Sequence, residues 1–498
     1  MKNQKSIISI LFSIGIVFSS CNEKEKYSNP QQIELSNQDR PNIVLIMTDQ
    51  HQAEALSIVG NTNLKTPNLD KLANTGVRFD NAYVTFPLCV PSRSSIFTGK
   101  MPHEVKVNSN EKGDNVMSIK DKQNGLGVKL KNAGYACAYG GKWHAHEIEM
   151  PDGNGFDKIS GFGDMPLAEM CIDYLKSRKQ NSQPFFLVAS FDNPHNICEW
   201  ARNEPLPYGN IATVSLEETP ELPVNFKRSK TFPEALQLEQ GAEVKLYPTK
   251  NYTETDWRQY RYAYYRLVEK VDYEIGKIVD AIDNLGLRDN TVIIFTSDHG
   301  DGNASHGWNQ KTALFQESIK VPFIVNYKGN NMLKNKSSNT LISNGLDLYP
   351  TICDYAGVSV FNDLLGKSIK PIIEGVGESK DQEFIVVETK FEGKNAYGTM
   401  GRALVAKKYK YVIYHWGKNR EQFFDLEKDP YELNNLIKSK EYLEAIDDCR
   451  QKLIDWCKAT NDTKFLKKLM LPSNSNMHSS ELFIKAANKK SVVKSFGI

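Results

Sequence analysis

A chain of 498 residues can bury a large core and hold two domains. Its 40% hydrophobic and 24% charged content is that of an ordinary globular protein and excludes a disordered or fibrous one. With 62 Lys and Arg against 60 Asp and Glu the formal charge is only +2, which excludes a nucleic-acid binder by charge, so any pull on an anionic ligand must be local.

In chain order, Lys2 and Lys5 precede an apolar run from Ile7 to Phe18 that is too short to span a bilayer. The run closes as Phe18-Ser19-Ser20-Cys21, which resembles a bacterial lipoprotein signal. That resemblance implies removal of residues 1–20, acylation of Cys21 and a polar tether over 21–38. The protein would then be exported by a Gram-negative bacterium and held in the periplasm, at the outer membrane or at the cell surface by a lipid anchor alone. Phe18 stands where Leu is more usual, which leaves plain secretion as the other reading. Eight cysteines in a chain of this size make no disulfide framework, and no Cys-x-x-Cys or Cys/His cluster points to zinc. Cys137, in an apolar run, is expected as a buried thiol.

The run Asn42 to Met47, closed by Thr48-Asp49-Gln50, reads as a strand covered on both faces. Thr66-Pro67-Asn68 opens a helix that Gly76 follows. The turn Cys89-Val90-Pro91-Ser92-Arg93 comes next, with Pro91 expected at the first helical position. Tyr135–Tyr139 leads into Gly140-Gly141-Lys142-Trp143-His144, and Pro184–Phe191 into Asp192-Asn193-Pro194-His195. The Pro-rich residues from about 200 to 255 read as an irregular surface loop or lid. Tyr264 through Leu285 recur at helical spacing up to Gly286. The strand Thr291–Phe295 ends in Thr296-Ser297-Asp298-His299, and Lys311 and a strand Val321–Val325 follow.

After Gly375 the texture becomes β-rich at Phe384–Glu388, Arg402–Ala406 and Tyr409–Trp416, then helical from Tyr442 to Cys457. The expected fold is α/β: a large mixed, mostly parallel sheet with helices on both faces over 39–375. A smaller α+β domain with an antiparallel sheet is expected over 376–470, and a loose tail over 471–498. Ligands in such sheets bind beyond the carboxyl ends of the strands. Asp49, Lys142, His144, His195, Asp298 and His299 each follow such an end or belong to a pair that does.

The residues carry chemistry of their own. Free N–H groups at the Cys89 turn, with Arg93 beside them, suit an anion. Asp49 with Asp298-His299 suits one hard divalent cation, Ca²⁺ or Mg²⁺ rather than zinc, although either Asp alone would equally cap a turn. Lys142 and His144 share a face in extended backbone, as a tetrahedral anion and its nucleophile require; alone they would read as a surface lysine and a structural histidine.

Cys89-Val90-Pro91-Ser92-Arg93, with Thr98-Gly99 after it, resembles the maturation signature of the type I, formylglycine-dependent sulfatases of the alkaline phosphatase-like superfamily. Gly141-Lys142-Trp143-His144, Pro194-His195, Lys311, Asp347-Leu348-Tyr349-Pro350-Thr351 and Phe424-Asp425-Leu426 are similar to that family in order, over residues 40–460. The resemblance implies that a formylglycine-generating or sulfatase-maturating enzyme oxidises Cys89 to Cα-formylglycine (3-oxoalanine), whose hydrate is the nucleophile. It implies metal ligation by Asp49, Gln50, position 89, Asp298 and His299, sulfate binding by Lys142, Lys311 and His195, and activation through Arg93 and His144. Most members have Asp-Asp where this chain has Asp49-Gln50, so the site carries one negative charge fewer. The implied activity is hydrolysis of sulfate esters on a sulfated carbohydrate, with recognition expected from His103, Glu104, His146, Glu199, Trp200, Arg202 and His306. The alternatives are a phosphonate monoester or phosphodiester hydrolase of the same superfamily, and an inactive glycan-binding lipoprotein.

Overall fold

The computed structural model describes residues 40–469 apart from 112, 114, 148, 243–247, 330–332, 377–381 and 394–395. The expected signal segment, the Cys21 lipidation site, the tether and the tail lie outside the described residues. Among the described residues no helix is long and apolar enough to cross a membrane.

Eight strands form the main sheet: β1 (Asn42–Asp49), β2 (Val77–Tyr83), β3 (Ala136–Gly141), β4 (Asp157–Lys158), β5 (Phe185–Pro194), β6 (Thr291–Ser297), β7 (Phe323–Asn326) and β8 (Lys336–Ser343). Their order is β4-β3-β5-β1-β6-β7-β2-β8. All neighbours run parallel except β7, which is antiparallel to β6 and β2. The sheet is therefore mixed and mostly parallel, as expected.

Strand periodicity explains why the central strands read as continuous apolar runs. Ile43, Leu45 and Met47 of β1 enter one core, and Val44 and Ile46 enter the other. Phe186 and Val188 against Leu187 and Ala189 on β5 divide in the same way, as do Val292 and Ile294 against Ile293 and Phe295 on β6. Leu69 and Leu72, Leu167 and Leu175, and Val271, Ile275 and Ile278 bring three helices onto the second core.

The first core is closed partly by a second sheet, β9 (Phe384–Lys390), β10 (Met400–Ala406), β11 (Tyr409–Tyr414) and β12 (Glu421–Asp425), antiparallel throughout in the order β12-β11-β10-β9. Ile385, Val387, Ala403 and Val405 face the first core, while Val386, Leu404, Tyr411 and Ile413 face the helix Leu443–Ala459.

Three differences from the sequence reading have local causes. The long helix runs Glu254–Asn284, beginning well before Tyr264, because Thr253 and Asp256 form a capping box that exchanges two hydrogen bonds (Thr253 N–H to Asp256 Oδ2 2.7 Å, Asp256 N–H to Thr253 Oγ1 3.3 Å). The segment read as loop, about 200–255, holds the helix Glu234–Ala242 and short helical turns at Leu216–Glu218 and Pro248–Asn251. Edge strand β8 begins with the polar run Lys336-Ser337-Ser338-Asn339-Thr340, largely exposed, so alternation of apolar residues could not reveal it.

Candidate active site

The helix Cys89–Thr98 starts at Cys89 itself, so Pro91 is its third residue, not its first. The position still tolerates proline, because no N–H in the first turn has an intrahelical partner. Asn110 Oδ1 accepts the Val90 N–H at 3.1 Å, and Gly99 at φ 69° ends the helix. Every residue of this helix is buried, an unusual setting for a segment with three serines and an arginine. Ser94 and Thr98 turn their hydroxyls back onto the Val90 and Ser94 carbonyls of the helix, both at 2.7 Å, while Ser92 Oγ reaches a strand end and donates to the Asp298 carbonyl at 2.5 Å.

Arg93 is the hub. Its Nε donates to Asp298 Oδ2 at 2.7 Å, Nη2 to Asp49 Oδ2 at 3.1 Å, and Nη1 to Ser190 Oγ at 2.7 Å and the Lys142 carbonyl at 2.8 Å. One guanidinium thus ties together the carboxyl ends of β1, β3, β5 and β6. Lys142 Nζ lies 2.9 Å from Asp49 Oδ2 and 3.0 Å from Asp192 Oδ1. Lys311 Nζ lies 3.3 Å from Cys89 Sγ and 3.3 Å from Gln50 Oε1.

Beside these cations Asp49, Cys89, Asp298 and His299 each offer one ligand atom, all within 4.8 Å of one another. His299 has its Nδ1 2.9 Å from the Gly300 carbonyl, so Nδ1–H donates there and Nε2 faces Cys89 Sγ at 3.3 Å. Gln50, in left-handed backbone at φ 70°, donates its N–H to Asp298 Oδ1 at 3.1 Å. Its Nε2 donates to Asp301 Oδ2 at 2.6 Å, which turns the carbonyl oxygen toward Lys311.

The charges explain the protonation states. Burial opposes ionisation of Asp49, yet Lys142, His195, Arg93 and His299 hold its carboxyl well below the usual range. Burial, reinforced by Asp49, pushes Asp298 up to about 6; a divalent cation among the four ligand atoms would reverse that push. Burial and Asp49 oppose the Cys89 thiolate, but Lys311, Lys142 and His299 hold the thiol well below its ordinary value. Half-buried His195 is held well below the usual imidazole range by burial and by the like charges of Lys142 and Lys311.

Residues 41–166 and 162–358 match the sulfatase family model, and residues 304–459 match that of the N-sulphoglucosamine sulphohydrolase C-terminal region. The chain belongs to the sulfatase family. A Δ4,5-hexuronate-2-O-sulfatase of Bacteroides thetaiotaomicron is 29% identical, over 85% of this chain and 90% of the relative. An N-acetylglucosamine-6-O-sulfatase of the same organism is 27% identical, over 87% and 89%. The solved structure of a 2-O glycosaminoglycan sulfatase superposes with a TM-score of 0.76 at 27% identity, covering 89% of this chain and 97% of that one. The protein is a sulfuric ester hydrolase.

In this sulfatase the fold brings together Asp49, Gln50, Cys89, Arg93, Lys142, Asp298, His299 and Lys311 through the contacts above, and places His195 with its Nδ1 4.0 Å from Asp192 Oδ1. His144 follows Lys142 in left-handed backbone at φ 43°, its Nδ1 buried with no hydrogen-bond partner among the described residues.

The expected recognition residues are distributed differently. His103 and Glu104 are turned inward: the His103 ring meets Glu388 and the Thr460 carbonyl, and Glu104 accepts the Met101 N–H at 2.8 Å. His306 stacks on Phe315 at 4.0 Å, with Nε2 3.2 Å from Asn225 Nδ2. His146 packs edge-on against Trp143. Glu199 pairs with Arg202 at 3.0 Å, and Trp200 meets Tyr260 edge-on, so this group flanks the Tyr260–Asp301–Gln50 contacts.

Asp192, Ser190, Asn110 and Asp301 join the site without having been singled out. Asp192 was within reach, since it closes the same strand as His195. Asn110 offered no signal, because it lies in a loop and acts through one amide.

Proposed function

We propose that this sulfatase removes sulfate from a sulfated carbohydrate, using a Cα-formylglycine formed from Cys89 and a Ca²⁺ ion, with Mg²⁺ as the alternative. The observation that carries this reading is the cluster Asp49, Cys89, Asp298 and His299 within 4.8 Å, faced by Lys311 and Lys142. Two carboxylates and the nearby Gln50 carbonyl are hard oxygen donors, which fit Ca²⁺ or Mg²⁺, and His299 completes the set with Nε2. When present, the hydrated aldehyde supplies a hydroxyl to attack sulfur and the ion supplies positive charge beside it.

This chain's own residues do the rest. Lys142, fixed between Asp49 and Asp192, and Lys311 bind the sulfate oxygens and stabilise the charge that builds on them. Arg93 holds the two ligand carboxylates apart and in place. His195 is neutral beside two lysines until a bound sulfate offsets their charge; it then carries the proton that the departing alcohol needs. His144 accepts a proton from position 89 as sulfate leaves.

The carbohydrate substrate is supported by the relatives, which act on a hexuronate 2-O-sulfate and an N-acetylglucosamine 6-O-sulfate. Export and lipid anchoring at Cys21, read from residues 1–21, would bring the enzyme to such polymers. A maturating enzyme is its implied partner. The test is turnover by matured protein across defined sulfated saccharides, beside an aryl phosphodiester and a phosphonate monoester. Desulfation of a saccharide as the fastest reaction is expected. Faster phosphorus chemistry, or saccharide binding without turnover, would contradict the proposal.

A further inference from the structure

Three of the most exposed large apolar side chains, Phe162, Met165 and Tyr273 (65%, 62% and 64% exposed), lie on one path leading away from the catalytic cluster. The path starts at the sulfate site, because the Phe162 ring centre is 5.5 Å from Lys142 Nζ. Its backbone is anchored there too: Asp164 accepts the N–H groups of Asp192 and Asn193 at 2.5 and 3.1 Å and the Asn193 amide at 2.7 Å. Gly163, at φ +121°, lies against Tyr208, whose hydroxyl would be 3.0 Å from a Cβ at that position.

Past Met165 opens a cavity of about 570 Å³, bounded by Tyr208 and by Tyr262, Arg266, Lys270 and Tyr273 of the long helix. A volume of this order is that of an ordinary small-ligand site. Its charges are not balanced alike. Arg266 is spent on Glu269 at 2.6 Å, and Glu274 is spent on Lys277 at 2.9 Å. Lys270 has no carboxylate partner among the described residues; its Nζ bonds only the carbonyls of Tyr208 (3.1 Å) and Gly209 (2.7 Å). The other unpaired charge of the lining, the Asp164 carboxylate, is turned onto the Asp192 and Asn193 amides, so aromatic faces around the Lys270 ammonium suit a sugar ring that carries an acidic group.

We propose that this cavity is a second saccharide subsite, which takes the sugar next to the one bearing the ester and meets its carboxylate or second sulfate with Lys270. Phe162 and Met165 form the floor between the two sugars, and Tyr262 and Tyr273 stack on the second. The proposal rests on the carbohydrate reading above and adds that the enzyme reads at least two residues of an acidic chain.

Binding is measured by calorimetry on Cys89→Ala protein, which carries no oxidisable group at position 89, independently of maturation and turnover. The ligands are a sulfated uronate–hexosamine tetrasaccharide containing the sugar that the turnover panel selects, its carboxyl-reduced form, and the sulfated monosaccharide. The tetrasaccharide is expected to bind about tenfold tighter than the monosaccharide, and Lys270→Gln to remove most of that gain. Tyr273→Ala, on an exposed side chain that the fold does not need, should remove part of it. Loss of the gain on carboxyl reduction identifies the uronate as the acid, and its survival identifies a second sulfate. Equal, measurable affinities for tetrasaccharide and monosaccharide would overturn the subsite alone, as would a gain that survives both substitutions. No binding of either saccharide would overturn the carbohydrate reading as well.

Discussion

Arg93 and Lys142 owe their positions to carboxylates, and a buried charge that loses its partner costs about 3–5 kcal/mol. Asp192 is the partner that can be removed without dismantling the metal cluster, since Lys142 keeps Asp49 at 2.9 Å. Asp192→Asn is therefore expected to lower kcat/KM by about tenfold and Tm by several degrees, less than the loss of both partners would, measured by steady-state kinetics beside a thermal melt. An unchanged kcat/KM would show that Asp192 does not set the Lys142 position. Gln50 makes a sharper test of the metal. Its Nε2 is taken by Asp301, which leaves its carbonyl toward Lys311, the lysine that also meets Cys89. Gln50→Ala should weaken Ca²⁺ binding to metal-free protein by about tenfold, read by calorimetric titration, whereas unaltered affinity would place Gln50 outside the coordination shell. At this scale the sequence was most informative where a charged residue sits in a distinctive string, as Arg93 does in Cys89-Val90-Pro91-Ser92-Arg93 and Lys142 in Gly141-Lys142-Trp143-His144. It was silent where the work falls to common polar residues such as Ser190 and Asn110.

Between elements, the helix Cys89–Thr98 is braced from the second sheet. Glu388 of β9 donates its N–H to the Thr85 carbonyl at 2.8 Å, and Thr389 Oγ1 donates to the Thr312 carbonyl at 2.7 Å, next to Lys311. His103, just past that helix, completes the brace. Its Nδ1 meets the Glu388 carboxylate and its Nε2 the Thr460 carbonyl at 3.0 Å, and two acceptors require a proton on both nitrogens. Burial works against that charge, but Glu388 overrides it and the His103 pKa rises from 6.5 to about 9. A folded-state value above the unfolded one stabilises fully below pH 6.5 and loses that contribution as pH rises through about 9. The effect is on the order of 3 kcal/mol. The Tm gap between the wild type and His103→Gln should thus be widest near pH 6 and close toward pH 10; a gap independent of pH would mean that His103 is neutral. From sequence alone His103 reads equally as a recognition residue and as a packing one. Only the return of β9 and the Leu443–Ala459 helix, hundreds of residues later, shows that its partners are internal.

Across the whole molecule, one arrangement explains both what was legible and what was not. β1, β5 and β6 are buried on both faces, so they stand out as apolar runs, and the polar residues that end them converge by topology at one sheet edge. The second sheet was legible as β-rich texture, but its role as a wall of the first core follows from Ile385, Val387, Ala403 and Val405, whose alternation does not say what they face. Edge strands β4 and β8 are short or polar and left no pattern.

The function proposed for this site makes one chemical demand above the others, an aldehyde in place of the Cys89 thiol. The most direct measurement is mass spectrometry of the peptide spanning position 89, taken from material whose desulfation rate has been determined, beside Cys89→Ser protein. Activity should rise in proportion to the fraction of chains carrying the aldehyde or its hydrate, and the serine protein, left unmatured, should be inactive. Full activity from chains that retain an intact thiol at position 89 would contradict the account.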